Sequence, residues 1–148
     1  MHPPVRSLAD IAEEYEFLDA DDRYRLLIEL GRALEPMPDA LKTEATLVRG
    51  CSAQVWVYPV ASEEHDGGGP ARLHFLADSN AAITKGIVAL VIAAVQGLPA
   101  AEIARMDIAA ALAPFDLARQ LSSNRTPGGP NMIALVRDHA ARIAGAEV

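Results

Sequence analysis

A chain of 148 residues is read as one domain, long enough to bury about two-thirds of its unfolded surface without a disulfide or metal staple. An apolar fraction of 51% argues against a long disordered tract, and a net charge of -7 argues against the basic footprint of a nucleic-acid binder. The single cysteine excludes an internal disulfide and a multi-thiolate metal site, and it suits a reducing, cytoplasmic compartment.

Met1-His2-Pro3-Pro4 lacks the charged stretch and apolar core of a signal peptide. A first helix is expected from Ser7, where Ser7 and Asp10 resemble a capping pair and Leu8, Ile11, Ala12, Tyr15 and Leu18 recur at helical spacing. A second follows Asp19, with Tyr24, Leu27, Ile28 and Leu34 as its apolar stripe and Pro36 and Pro38 beyond its end. The two form a hairpin rich in acid: Glu13, Glu14, Glu16, Asp19, Asp21 and Asp22. That cluster reads either as a solvated face or as a patch for a basic partner. From Thr43 the composition turns to strand formers. Strands are expected near Ala45–Arg49, Ala53–Val60 and Arg72–Ala77, with Gly50-Cys51-Ser52 as a turn and Ser62 to Pro70 as an exposed hairpin loop. Asp78-Ser79-Asn80 can cap a helix running to Gln96, which Gly97 and Pro99 stop. Its apolar stretch, Gly86 to Val95, is about half a membrane span and reads as a buried helix, so no membrane partner is expected. Short helices follow near Ala100–Arg105 and Ile108–Ala113. Ser122 to Pro130 reads as a loop. A last helix carries Met132, Leu135, Val136, Ala140 and Ile143 on one face. The order predicts an α+β fold: a small three-stranded antiparallel sheet packed with an N-terminal helical hairpin and C-terminal helices.

Three residues are candidates for chemistry. Cys51 follows a glycine in a turn between strands, where a thiol can be reached and can ionise. A lone cysteine also serves as an inert, small core residue. Arg125, inside the polar stretch Ser122-Ser123-Asn124-Arg125-Thr126, is either a surface charge or a guanidinium stabilising a thiolate. Asp78 is either a helix cap or a carboxylate partner for Arg125. The four histidines are scattered, so no metal site is expected. A cysteine–histidine pair through His74 or His139 would make a cysteine-nucleophile hydrolase. Lys85, on an apolar helix, reads as a snorkelling lysine rather than a Schiff-base residue, and no cofactor is expected. Gly67-Gly68-Gly69 lacks the Lys and Ser/Thr of a phosphate loop.

Val48-Arg49-Gly50-Cys51-Ser52-Ala53-Gln54-Val55-Trp56 resembles the signature of the SufE family, a glycine–cysteine pair followed by Gln-Val-Trp. Three more segments agree in order: Tyr24 through Leu34, with Ile28-Glu29-Leu30-Gly31; Ala77-Asp78-Ser79-Asn80 leading to Lys85-Gly86; and Leu121-Ser122-Ser123-Asn124-Arg125. Ser52-Ala53 departs from the family's usual Gln-Ser, and the stretch after Arg125 is longer and richer in proline. The resemblance implies a SufE/IscU-like fold and a sulfur acceptor rather than a stand-alone enzyme. Cys51 would bear the persulfide, with Asp78 and Arg125 near it, and Gly50, Ser52, Gln54 and Trp56 would face the partner. That partner would be a SufS-type cysteine desulfurase, which brings its own pyridoxal phosphate. The downstream recipient would be an iron–sulfur scaffold complex, and the chain itself a monomer or weak homodimer. A CsdE-type acceptor serving a different desulfurase is the near alternative. An iron–sulfur scaffold is a poor one, since a cluster needs several ligands.

Overall fold

The computed structural model describes residues 7–48, 54–61, 72–115 and 128–146. Helix α1 (Leu8–Glu16) starts where Ser7 accepts a hydrogen bond from the Asp10 amide at 3.1 Å. Helix α2 (Ala20–Arg32) starts in the same way, with the Asp19 carboxylate accepting from the Asp22 amide at 2.9 Å. Both caps satisfy an otherwise orphaned helix N–H. Tyr15 anchors the hairpin. Its hydroxyl donates to the Phe115 carbonyl at 2.9 Å, its ring meets that of Phe115 edge-on at 5.1 Å, and the Arg23 guanidinium lies over that ring, 4.4 Å from its centre. Of the expected α2 stripe, Leu27 is fully buried, whereas Tyr24 is 53% exposed. The six acidic side chains of the hairpin are exposed.

Strands β1 (Val55–Ala61) and β2 (Leu73–Ser79) pair antiparallel, with Val55 opposite Ser79 and Trp56 opposite Asp78. Alternation sends Val55, Val57, Leu73, Phe75 and Ala77 into the core. The expected three-stranded sheet is corrected here: among the described residues it has two strands. The segment foreseen as a strand near Ala45–Arg49 makes only an isolated bridge, Leu47 to Trp56, and two ladder bonds, Val48 N–H to Val55 O and Val57 N–H to Thr46 O, each 2.8 Å. The reason is local. The Thr46 hydroxyl bonds back to the Leu41 carbonyl at 2.6 Å, and the Thr46 amide bonds to the Thr43 carbonyl. A side chain offering the backbone a turn in this way competes with an extended strand.

The other edge of β2 is covered without a strand. The Phe75 amide donates to the Gln96 side-chain oxygen at 2.9 Å, and the Leu73 amide to the Leu98 carbonyl at 2.9 Å. An open edge is a pairing hazard, and this cover removes it. Gly97 makes the cover possible by adopting φ +80°, a backbone region that glycine enters freely.

Helix α3 (Ala82–Val95) is the central element, with seven buried residues. It is not capped by Asp78, as the sequence suggested. Ala81 occupies the cap position without a side-chain bond, and the Ser79 hydroxyl accepts from the Ala81 amide at 3.2 Å. Helices α4 (Ala100–Arg105) and α5 (Ile108–Ala111) follow, then a 3-10 turn at Ala113–Phe115. Helix α6 (Gly128–Ala146) buries Met132, Val136 and Ala140. It begins at Gly128, so the last three residues of the expected Ser122–Pro130 loop are helical. The observed class is α+β.

Helices α2 and α3 cross at two glycines. A Cβ on Gly31 would stand 2.9 Å from the Gly86 amide nitrogen, and a Cβ on Gly86 would collide with the Leu27 carbonyl. The absence of both side chains lets the backbones touch. That contact fixes where Lys85, the residue before Gly86, meets the end of β2.

Candidate functional site

The hairpin register places the site. Trp56 and Asp78 face each other across the strand pair, on the face opposite the core residues Val55, Val57 and Ala77. Two residues along, Gln54 and Asn80 tie the strand ends together. The Gln54 amide donates to Asn80 Oδ1 at 3.1 Å, and the Asn80 amide to the Gln54 carbonyl at 3.3 Å. Gln54 and Val48 are therefore fixed points on either side of the segment that carries Cys51.

Asp78 is the hub. Its Oδ2 lies 2.8 Å from Lys42 Nζ, and its Oδ1 lies 3.2 Å from Lys85 Nζ and accepts the Ser79 amide at 2.8 Å. Its side chain is 22% exposed. Burial would push its carboxyl upward, but the bonds from Lys42, the Ser79 amide and Lys85 prevail, so it titrates below the ordinary range. Lys42 is bonded to Asp78 and also reaches Asp39 at 3.3 Å; these carboxylates raise its pKa against the opposing desolvation. Its ammonium stands 5.3 Å from the centre of the Trp56 ring, within the range of a cation–π contact.

The sequence-based site residues fare differently. Asp78, Gln54 and Trp56 come together at one end of the hairpin. Cys51, Gly50, Ser52 and Arg125 lie outside the described residues, as do the loop at Ser62–Pro70 and the shape of the chain around Arg125. Asp78 is an ion-pair hub in a strand rather than a helix cap, and Lys85, near the start of α3, is one of its ion-pair partners. Sequence reasoning missed Lys42. It stands between a proline-rich turn and a strand-like segment, where no spacing rule marks a lysine.

The histidines sit apart. His74 pairs in register with Val60, four residues from the Trp56 pair, about 13 Å along the strand. His139, on α6, is 8% exposed and hydrogen-bonds the Val57 backbone, and its Nε2 has no partner among the described residues. Val57 belongs to the core face, opposite Trp56 and Asp78. Burial, aided by Arg142, pushes His139 below the usual histidine range, against the pull of Asp138 and the Val57 bond. No group of three His, Cys, Asp or Glu among the described residues is placed to hold a metal ion. No described helix is long and apolar enough to cross a membrane.

A two-stranded hairpin set among helices, with an acid–lysine cluster at the end bound by Gln54 and Asn80, defines a small α+β protein. The model of the SufE family, described as an Fe-S metabolism associated domain, matches residues 9–140. This chain belongs to that family. It is 38% identical over 139 residues to an uncharacterized SufE-like protein of Rhizobium etli, covering 92% of this chain and 90% of that protein. It is 38% identical over 137 residues to an uncharacterized SufE-like protein of Rhizobium meliloti, covering 92% and 96%. The sulfur acceptor protein CsdE of Escherichia coli is 37% identical over 109 residues, covering 73% and 69%. A hypothetical protein from Thermus thermophilus, solved in solution, superposes with a TM-score of 0.56 over 99% of this chain and 98% of that one. At 22% identity, that likeness concerns the fold alone.

Proposed function

We propose that this chain receives sulfur on Cys51 from a cysteine desulfurase, stimulates that enzyme by doing so, and passes the sulfur towards iron–sulfur cluster assembly. The observation that carries the reading is the chain's lone cysteine, set in the Gly-Cys-x-x-Gln-Val-Trp segment of a SufE-family protein. The transfer is a thiol exchange. The Cys51 thiolate attacks the terminal sulfur of a persulfide on the desulfurase, a new S–S bond forms, the old one breaks, and the partner's cysteine leaves as a thiolate. No net oxidation or reduction occurs. A second thiolate then takes the sulfur from Cys51 by the same step. The rate depends on thiolate fraction, nucleophilicity and access. Asp78 and Arg125 act as site residues near the thiol, and Gly50, Ser52, Gln54 and Trp56 face the partner. A cytoplasmic setting suits a protein whose working group must stay reduced.

The test is desulfurase turnover on free cysteine with and without this protein. Wild type raises turnover and gains the mass of one sulfur atom on Cys51. Cys51→Ser, which nearly preserves shape but cannot hold a transferable sulfur, does neither. Equal stimulation by both proteins would sink the carrier mechanism. The likeness to CsdE lends weight to the alternative, in which this chain is a CsdE-type acceptor serving a desulfurase other than a SufS-type one. Assaying the two kinds of desulfurase side by side separates them.

A further inference from the structure

We infer that Lys42 is a positioning residue for the thiol chemistry proposed above: it holds the stretch of chain entering the Cys51 segment against the strand pair. Its consequence for sulfur transfer rests on the carrier reading; its effect on the thiol itself does not.

Lys42 sits where three pieces of chain meet. Its ammonium reaches Asp39 in its own 3-10 turn, Asp78 on β2, and the face of Trp56 on β1. One side chain thus ties three pieces of chain at one end of the hairpin. Charge balance alone does not call for it, because Asp78 already has Lys85 at 3.2 Å. What Lys42 adds is a link to the chain that follows it. That chain runs through the turn at Thr43–Thr46 to Val48, the last described residue before the Cys51 segment. Between Lys42 and Val48, the backbone is held to β1 by two ladder bonds and one isolated bridge, with Val48 buried in the core and no third strand among the described residues. The far side of the segment has its own tie, in the Gln54–Asn80 exchange. Lys42 is the side-chain counterpart on the near side.

The contact is not an ordinary surface pair. Lys42 and Asp78 side chains are each 22% exposed, so solvent and salt screen them less than two free surface charges. Lys42 also packs its charge over an indole, which rewards a cation held in place. Arginine can make both contacts, and methionine keeps the aliphatic stem while removing the charge.

Trp56 is the chain's one tryptophan, so its emission reports directly on the cation above it. The experiment compares wild type, Lys42→Met and Lys42→Arg by three measurements: Trp56 emission, the rate of Cys51 alkylation by iodoacetamide from pH 6.5 to 9.5, and desulfurase turnover over a titration of the carrier. Lys42→Met is expected to shift the emission and change the high-pH plateau of alkylation by about fivefold, the scale of one partly exposed ion pair. The plateau is chosen because the thiol is ionised there, so the rate reads presentation rather than pKa. The expected direction is faster labelling, as the chain entering the segment loses one of its ties. Maximal stimulation of the desulfurase falls by a similar factor. Lys42→Arg restores all three, which a general loss of stability would not allow. An unchanged alkylation plateau and unchanged maximal stimulation in Lys42→Met, with the emission shifted, overturn the inference. If wild type itself accepts no sulfur, the carrier reading falls, and the alkylation plateau still decides the role of Lys42.

Discussion

Asp78 shows how little a residue's type says about its task. An aspartate before Ser-Asn reads naturally as a helix cap, yet the strand continues through Ser79 and turns the carboxylate towards two lysines. Replacing it by asparagine leaves Lys42 and Lys85 facing each other without their shared counter-charge. Asp78→Asn should cost about 1–2 kcal/mol at pH 7, as hydrogen bonds to a charged group are lost at a partly shielded site. The sign of its pH dependence follows from its lowered pKa. The ionised carboxylate stabilises the fold above its unfolded value, near 3.8, and that contribution is lost as pH falls through the folded value. Urea melts at pH 7 and below pH 3.5 would therefore show the gap between wild type and Asp78→Asn closing in acid. Arg125 belongs to the same scale. Arg125→Ala should impair sulfur transfer more than it impairs folding, as proposed for a residue that serves the thiol. Unchanged transfer with earlier melting would make it structural.

Among elements, the crossing of α2 and α3 governs the site from a distance. Gly31 and Gly86 let the two backbones meet, and the residue beside that contact is Lys85, whose ammonium holds Asp78. Alanine improves helix propensity by about 1 kcal/mol over glycine, so an isolated α3 would gain from Gly86→Ala. In the folded protein the new methyl collides with the Leu27 carbonyl. Overpacking of this kind typically costs about 1–3 kcal/mol. Gly86→Ala should therefore lower the denaturation midpoint despite its propensity gain. Because parting the helices also moves Lys85, the Lys85–Asp78 contact should weaken with it. A midpoint equal to or above that of wild type would show that the helices separate freely.

At the scale of the whole molecule, α6 packs on α4 and against β1, and His139 makes that packing sensitive to acid. Its ring is buried, and Nε2 has no partner among the described residues, so a proton there would be poorly solvated and opposed by the charge of Arg142. Its folded pKa lies below the ordinary 6.5, and the unfolded chain takes up the proton first. Stability is then intact above about pH 6.5 and falls as pH drops below it, with a limiting slope of about 1.4 kcal/mol per pH unit for one proton. Denaturant titrations between pH 7.5 and 5.5 should show this loss in wild type and a flatter profile in His139→Gln. An equal slope in the two proteins would assign the acid sensitivity elsewhere.

The sequence by itself determined the α+β class, the helical hairpin with its Ser7 cap, the strands β1 and β2, the stop of α3 before Gly97, and the family through its Gly-Cys-x-x-Gln-Val-Trp segment. These are legible because they depend on near neighbours: a cap reads three residues ahead, and alternation reads two. Only the tertiary structure decided that the stretch after Thr43 stays out of the sheet, where the Thr46 hydroxyl finds the Leu41 carbonyl, and that Gln96 guards the edge of β2. It also decided that Lys42, Trp56, Asp78 and Lys85 meet. Those four come from a turn, two strands and a helix, brought together by the hairpin register and the Gly31–Gly86 crossing. A charge partner across such distances has no period in the sequence, because Coulomb attraction depends on separation in space and not along the chain.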